Sequence, residues 1–242
     1  MAKTNKETRI VAGVELIFYP DSHKYKANGK WVESVTTILG LIDKSGALMT
    51  WNERLERAYL TTLIGQKLTP EIIETSITLH NVKRDEAGDD GTAIHDYIEM
   101  FANAIIHGTD TPMITPDMNE NVIRGINGFL DWYNSNEVEF LEGEMIVYSP
   151  KYNYIGKPDR ILKVNGIKKL ADWKSGKGIY KSVELQLNAY ENALFEETGE
   201  HIDDLMVLHC NKETGEFTVH EYKRSEEVLQ DFINLIRIKK YK

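Results

Sequence analysis

The sequence predicts an α/β protein in which helices flank a mixed central β-sheet and a helical N-terminal elaboration precedes that core. Three observations lead to this prediction. Helical periodicity dominates residues 47–107, strand-like segments dominate from residue 141 onward, and one helical segment at residues 182–198 lies between two groups of strands. Helices followed by strands with a single crossover helix are typical of a mixed sheet covered by helices.

The N-terminal 90 residues are predicted to form short strands and then helices. Strands are predicted at residues 15–19, 24–26 and 30–32, and helices at 34–41, 47–64 and 69–80. Ser34 is the predicted N-cap of the first helix, and Thr69-Pro70 is a cap followed by a first-turn proline. Residues 81–90 are polar and charged, and we interpret them as an exposed loop.

The remaining 152 positions contain most of the predicted strands. Strands are predicted at residues 142–148, 156–164, 167–174, 205–210 and 217–222, and helices at 91–107, 115–133, 182–198 and from about 225. Asn165-Gly166 separates two strand-like runs and is the strongest short-range hairpin signal in the chain. No repeat or low-complexity linker marks a domain boundary, so we expect a single domain over residues 1–242.

The composition restricts the kinds of site that the chain can hold. Of 242 residues, 41% are hydrophobic and 28% are charged, and no apolar run approaches the roughly 20 residues of a spanning helix. The single cysteine, Cys210, excludes an internal disulfide, a thiolate zinc site and a four-cysteine iron–sulfur cluster. We therefore expect a cytoplasmic protein in which Cys210 is a small apolar residue of a strand.

Positive charge is concentrated in one window of a chain whose net charge is −9. Residues 157–181 contain eight lysines and arginines but only two acids, Asp159 and Asp172, so the window carries +6 and the rest of the chain −15. A basic stripe around two isolated carboxylates favours phosphate binding at a metal site. A solvated lysine-rich hairpin is the simpler alternative.

The predicted hairpin places these two acids opposite each other. A two-residue Asn165-Gly166 loop pairs Asp159 with Asp172, with β-carbons roughly 4.5–5.5 Å apart. Like charges so placed repel unless a cation lies between them. Lys174 lies on the same strand face as Asp172, and two acids with an amine suit a magnesium site. A surface hairpin with ion pairs explains the spacing equally well.

Four short motifs follow one another in this half of the chain: Gly91-x-x-x-His95, Gly156-Lys157-Pro158-Asp159, Asp172-Trp173-Lys174 and Gln186-x-x-x-Tyr190. In this order they resemble the PD-(D/E)XK nuclease superfamily, specifically its RecB-like branch with the Q-x-x-x-Y motif. Residues 34–39 are similar to an N-terminal segment of phage and mitochondrial exonucleases of that branch. The resemblance implies a restriction-endonuclease-like catalytic core in residues 91–242 and an elaboration in residues 1–90.

The resemblance assigns roles to the matching positions. The implied ligands of one or two Mg²⁺ or Mn²⁺ ions are His95, Asp159, Asp172 and the main-chain carbonyl of Trp173. Lys174 is the implied catalytic lysine. Gln186 and Tyr190 would shape the site and contact the DNA backbone, and their spacing of four places them on one helix face. Glu99 shares a face with His95 for the same reason, so it is a candidate to orient the imidazole.

Other residues are candidates because of their positions. Glu144, in the strand before the hairpin, is a further candidate metal ligand, and an outward orientation is the alternative. The candidate DNA-binding residues are Ser34, Thr36, Thr37, Lys157, Ser175, Lys177 and Lys181. For the hydroxyl residues at the start of the first helix, capping alone is the alternative. For Tyr190 the alternative is a place in the core.

These features predict an exonuclease that hydrolyses phosphodiester bonds at DNA ends, single strands included, in phage or bacterial replication, recombination or repair. Mg²⁺ or Mn²⁺ is the expected cofactor. A nucleotide cofactor is not expected, because the chain lacks a G-x-x-x-x-G-K-[ST] loop. The expected protein partners are recombination or single-strand-binding proteins. The alternatives are a structure-specific endonuclease, a catalytically silent DNA-binding module, and a hydrolase of non-nucleic phosphoesters.

Overall fold

The computed structural model describes residues 6–42, 45–211 and 214–241. The strands of this part are β1 (Glu7–Val11), β2 (Val14–Tyr19), β3 (Lys24–Ala27), β4 (Lys30–Ser34), β5 (Val138–Gly143), β6 (Val147–Ser149), β7 (Tyr154–Gly156), β8 (Arg160–Val164), β9 (Ile167–Lys174), β10 (Asp204–Asn211) and β11 (Glu216–Lys223). Its α-helices are α1 (Val35–Leu39), α2 (Ser45–Thr61), α3 (Pro70–His107), α4 (Glu120–Asn134), α5 (Ser182–Thr198) and α6 (Glu226–Lys239).

A five-stranded mixed sheet forms the centre of the α/β fold, as predicted. Its order is β11-β10-β9-β8-β5, and β9 and β10 run parallel while the other pairs are antiparallel. The parallel pair requires a crossover connection, which α5 supplies. Side chains of α3 and α4 pack on one face of this sheet, and those of α1, α5 and α6 pack on the other.

A six-stranded sheet, ordered β1-β2-β3-β4-β7-β6, lies beside the central sheet. The predicted strand at 142–148 is wrong as one element, because β5 ends at Gly143 and β6 joins the N-terminal strands. The predicted strand at 156–164 is likewise two strands, β7 and β8. Pro158 separates them, since a proline has no N–H for a sheet ladder. β1 is unpredicted because this mostly exposed edge strand lacks an alternating apolar pattern.

Helix α3 contains the main error of the sequence interpretation. It runs without a break from Pro70 to His107, so the loop predicted at residues 81–90 is wrong. The ends were predicted: Thr69 Oγ1 accepts the N–H of Ile72 at 3.4 Å, and Gly108 ends the helix with φ 64°. Between two helical segments, each added residue gains a hydrogen bond without a second nucleation step. The helix therefore continues across 81–90 even though Gly88 and the three aspartates of this segment have low helix propensity.

The other elements lie close to their predicted positions, with one exception. Helix α4 begins at Glu120 with Asn119 as N-cap, so the predicted start at residue 115 is wrong. Cys210 is buried in β10, which confirms its predicted place in a strand. No helix in the described ranges is both long and apolar enough to cross a membrane.

Candidate active site

The hairpin between β8 and β9 has the predicted register. Asn165 and Gly166 adopt φ of 51° and 81°, as a two-residue hairpin turn requires, and Arg160 lies opposite Ala171. Asp159 precedes the ladder and does not form a backbone pair with Asp172. Its Oδ2 instead accepts the N–H of Trp173 at 2.6 Å. The carboxylate thus takes the place of a backbone partner and lies at the open end of the hairpin.

His95, on helix α3, contacts the other oxygen of the Asp159 carboxylate. Its Nε2 lies 3.0 Å from Asp159 Oδ1, and its Nδ1 lies 3.8 Å from Glu144 Oε1. Burial alone would lower the pKa of His95, but the hydrogen bond and the charges of Asp159 and Glu144 raise it to about 9. His95 in turn lowers the pKa of Asp159, against the effect of burial. The two groups form an imidazolium–carboxylate pair.

Asp172 and Lys174 lie on the opposite face of β9 from Trp173, as the strand alternation predicts. Lys174 Nζ forms an ion pair with Asp172 Oδ2, while the Trp173 indole packs against Phe129. Burial raises the pKa of Asp172 to about 6; Lys174 opposes this rise and Asp159 adds to it. Burial would lower the pKa of Lys174, but the two carboxylates raise it above its ordinary value. Lys174 is therefore an ammonium at neutral pH.

Gln186 of α5 reaches the same carboxylate, and Tyr190 of that helix contacts Gln186. Gln186 Nε2 donates to Asp172 Oδ1 at 3.4 Å and to Tyr190 Oη at 3.0 Å. Tyr190 is 3% exposed and belongs to the core, in line with the alternative weighed for it. Its contact with the DNA backbone stays a prediction. Gln186 thus orients Asp172, and Tyr190 holds Gln186 in place.

Gly156 of the second motif makes room for Tyr190. A Cβ at residue 156 would lie 2.4 Å from Tyr190 Cε1, much closer than any normal contact. We predict that Gly156→Ala lowers the free energy of unfolding by about 1–3 kcal/mol, as overpacking does. Urea titration measures the change, and Gly178→Ala, which places its Cβ in open space, is the matched control. Equal stability of the two variants would contradict this account.

Arg160 and Glu99 form a buried ion pair that the motifs do not reveal. Arg160 is 1% exposed, and its Nη2 pairs with Glu99 Oε1 and donates to Asn103 Oδ1 at 3.3 Å. The prediction that Glu99 orients the imidazole of His95 is therefore corrected: its hydrogen bond goes to Arg160. The pair ties α3 to β8 one residue after Asp159. The available sequence signal was an arginine in a strand that is otherwise apolar at this end.

Loss of this buried pair should cost far more than loss of an exposed one. We predict that Glu99→Ala lowers the free energy of unfolding by about 3–5 kcal/mol, because it leaves a buried guanidinium uncompensated. Glu139→Ala is the matched control, since it breaks an exposed pair with Lys163 that contributes at most about 1 kcal/mol. Chemical denaturation compares them. If Glu99→Ala were no more costly than the control, the pair would not hold α3 to β8.

Glu144 lies near the site but not in a strand as predicted. It follows β5 in a turn with φ 49°, and its N–H donates to the Asp159 carbonyl at 2.7 Å. Its side chain faces inward, with Oε2 2.8 Å from Lys157 Nζ. Lys157 also pairs with Glu7 at 2.9 Å. The ammonium of Lys157 is thus engaged by two carboxylates, and this arrangement does not favour the predicted DNA contact.

The remaining candidate DNA-binding residues lie in two places. Ser34 is buried, and its Oγ caps α1 by accepting the N–H of Thr37 at 3.1 Å. It also lies 3.0 Å from Thr36 Oγ1 and 2.8 Å from Thr37 Oγ1. The other candidates follow β9, where Lys177 and Lys181 are exposed. These candidates are Ser175, Lys177 and Lys181.

Only part of the predicted basic stripe is exposed at the surface. Arg160 and Lys169 are buried, and Lys169 Nζ lies 2.5 Å from Glu221 Oε1. Lys163 pairs with Glu139 at 2.8 Å. Acids distant in sequence therefore neutralise these three positive charges, and a window of sequence cannot show such partners. Lys177 and Lys181, two basic residues of this window, are exposed, and both follow β9.

The donor set has the chemistry that Mg²⁺ and Mn²⁺ prefer, namely carboxylate oxygens and an imidazole. The Trp173 carbonyl is included in this set because the N–H and C=O of one strand residue point to the same side. Asp159 accepts the Trp173 N–H, so the Trp173 carbonyl also points toward Asp159. Across the described ranges, no three such side chains are already grouped around one ion position. Each carboxylate is instead paired with a cation of the protein. The residues fit a hard divalent ion that takes the place of these protein cations beside the carboxylates.

The chain matches no protein-family model and no curated protein. Among solved structures, SSO0001 is similar with TM-score 0.32 and 11% identity over 79% of this chain and 86% of that one. An alkaline exonuclease from Laribacter hongkongensis, LHK-Exo, is similar with TM-score 0.26 and 10% identity, and its complex with dAMP with 0.28 and 12%; both cover 59% of this chain and 75% of that one. Similarities this distant assign no family.

Proposed function

We propose that this protein is a Mg²⁺- or Mn²⁺-dependent deoxyribonuclease that hydrolyses phosphodiester bonds at DNA ends. One observation carries the proposal: Asp159, Asp172 and Lys174 meet at the end of one hairpin, with His95 of α3 paired to the first of these carboxylates. Two acids and an amine at one end of a sheet have the chemistry to bind and cut a phosphodiester. The order of the four motifs, similar to PD-(D/E)XK nucleases of the RecB-like branch, supports the same reaction.

Each residue at the hairpin end has a separate proposed role. The proposed ion ligands are Asp159, Asp172, His95, Glu144 and the carbonyl of Trp173. The bound ion would neutralise the carboxylates and polarise the phosphoryl group. Lys174, as an ammonium, binds the phosphate and offsets the negative charge that develops during hydrolysis. Gln186 keeps Asp172 oriented through its amide.

We place this activity at DNA ends in phage or bacterial replication, recombination or repair, in the cytoplasm of the cell. The similarity of residues 34–39 to phage-type exonucleases supports this placement. Recombination or single-strand-binding proteins are the proposed partners. Digestion of 5′- and 3′-labelled single- and double-stranded DNA, with closed circles in parallel, tests the placement. Equal attack on circles would make the enzyme an endonuclease.

Removal of any of the three central side chains should abolish cleavage. We predict that Asp159→Ala, Asp172→Ala and Lys174→Ala each cut end-labelled linear DNA at no more than about 1% of the wild-type rate, since a positioned charged group contributes about 10²- to 10⁴-fold. Asp231→Ala, an exposed acid on α6, is the control and should cut normally. A wild-type protein that binds DNA but cuts nothing with Mg²⁺ or Mn²⁺ would instead be a silent binding module.

Manganese should stabilise the folded protein through the same carboxylates. An ion that binds only the native state adds about 2.7 kcal/mol of stability at 100 times its dissociation constant. We therefore predict that saturating MnCl₂ raises the unfolding temperature of the wild type by several degrees. Asp172→Asn should lose most of this rise, whereas Asp231→Asn should keep it. An equal rise in all three proteins would place the ion elsewhere.

A further inference from the structure

An aromatic and basic patch lies on the six-stranded sheet, beside a cleft that lies outside the four motifs. We call this cleft of about 350 Å³ the Trp31 cleft; the lining residues used below are Lys24, Tyr25, Trp31, Glu33 and Thr37. Its volume lies within the range of roughly 300–1,000 Å³ found for ligand sites. The cleft therefore has room for a flat ring system.

Trp31 is the exposed aromatic of this patch. It is 60% exposed and belongs to none of the hydrophobic clusters of the described residues. Its neighbours hold the indole in place: Lys26, its cross-strand partner, lies with Nζ 4.4 Å from the ring centre, and the Tyr19 ring lies 5.5 Å away. An exposed indole held by its neighbours can stack on a ligand at little cost in side-chain entropy.

The charge around Trp31 is positive. Lys24 Nζ lies 6.0 Å from the indole ring and lines the cleft, while Lys26 lies over the ring. Glu33 also lines the cleft, but Lys239 of α6 balances its charge at 2.6 Å. Two lysines beside an open aromatic face suit a ligand that combines flat rings with phosphates.

The Trp31 cleft is connected to the candidate active site through a short chain of contacts. Tyr25 lines the cleft and stacks on Phe18 with ring centres 4.6 Å apart. Lys157 Nζ lies 5.3 Å from the Phe18 ring and 2.8 Å from Glu144 Oε2. Tyr25 and Phe18 lie on the opposite face of this sheet from Trp31 and Lys26, so these contacts lead from the cleft through the sheet to Glu144.

We propose that the Trp31 cleft binds an unpaired base of a single-stranded nucleic acid, with the base stacked on the indole and the adjacent phosphates at Lys24 and Lys26. The exposed Thr37 at the cleft wall is a further polar contact for the same strand. The inference rests on the proposed nuclease function and names its substrate class as strands with unpaired bases. Such a platform tolerates any sequence, because every base has a π-face.

Binding in EDTA tests this proposal without cleavage. Fluorescence anisotropy of a labelled oligothymidylate measures the affinity, and an abasic strand of equal length separates stacking from phosphate binding. We expect Trp31→Ala to bind oligothymidylate at least about fivefold more weakly, the lower end of what one stacked base contributes, and to bind the abasic strand like the wild type. Trp31→Phe should restore most of the affinity. Tyr241→Ala, an exposed aromatic outside the cleft, is the matched control.

The outcomes separate this inference from the proposed function. Equal affinity of Trp31→Ala and the wild type, or no preference of the wild type for bases over abasic sites, would overturn the cleft proposal even if DNA is cut. A loss of DNA cleavage in Asp172→Ala tests the nuclease proposal independently. A change in oligomeric state on Trp31→Ala, with DNA affinity unchanged, would make the patch an interface between copies. Circular dichroism of each variant verifies folding.

Discussion

The carboxylate of Asp159 joins three elements, and the candidate site depends on this connection. One oxygen accepts the Trp173 N–H at 2.6 Å and the other pairs with His95 at 3.0 Å. These two bonds fix the start of β8, the C-terminal end of β9 and helix α3 relative to one another. Arg160, the next residue, adds a buried ion pair to the same helix through Glu99. The group best placed to hold an ion therefore also holds the site together.

The charges of the site are balanced by the protein itself. Asp172 is paired with Lys174, Asp159 with His95, and Glu144 with Lys157. These pairs relieve the expected repulsion between Asp159 and Asp172 without an added ion. The closeness of the two carboxylates alone is therefore weaker support for a metal site than the sequence suggested. Ion binding would be an exchange, in which a divalent cation replaces protonated or ammonium groups that are already present. Since the pKa of His95 is raised, this exchange includes loss of its proton.

Local signals predicted the hairpin and its surroundings, and distant contacts account for most of the errors. Asn165-Gly166 determines its turn and register by backbone geometry alone, so the placement of Asp172 followed from the sequence. The helicity of residues 81–90 depends on the helical segments at both ends, which a short polar window does not reveal. The buried state of Lys169 depends on Glu221 of β11, 52 residues away. The net charge of a sequence window therefore does not predict surface charge where residues distant in sequence neutralise its charged groups.

The two motif glycines act through packing, which explains why their spacing is informative. Neither has a positive φ, so backbone freedom is not the reason for them. A Cβ at Gly91 would lie 2.6 Å from Ser175 Oγ, and one at Gly156 would lie 2.4 Å from Tyr190 Cε1. Gly91 thus lets α3 approach the end of β9, and His95, about one turn later, comes within reach of Asp159. The motif spacing therefore reflects positions where a side chain larger than hydrogen would prevent close packing. This close packing brings the side chains of the helix and the hairpin together.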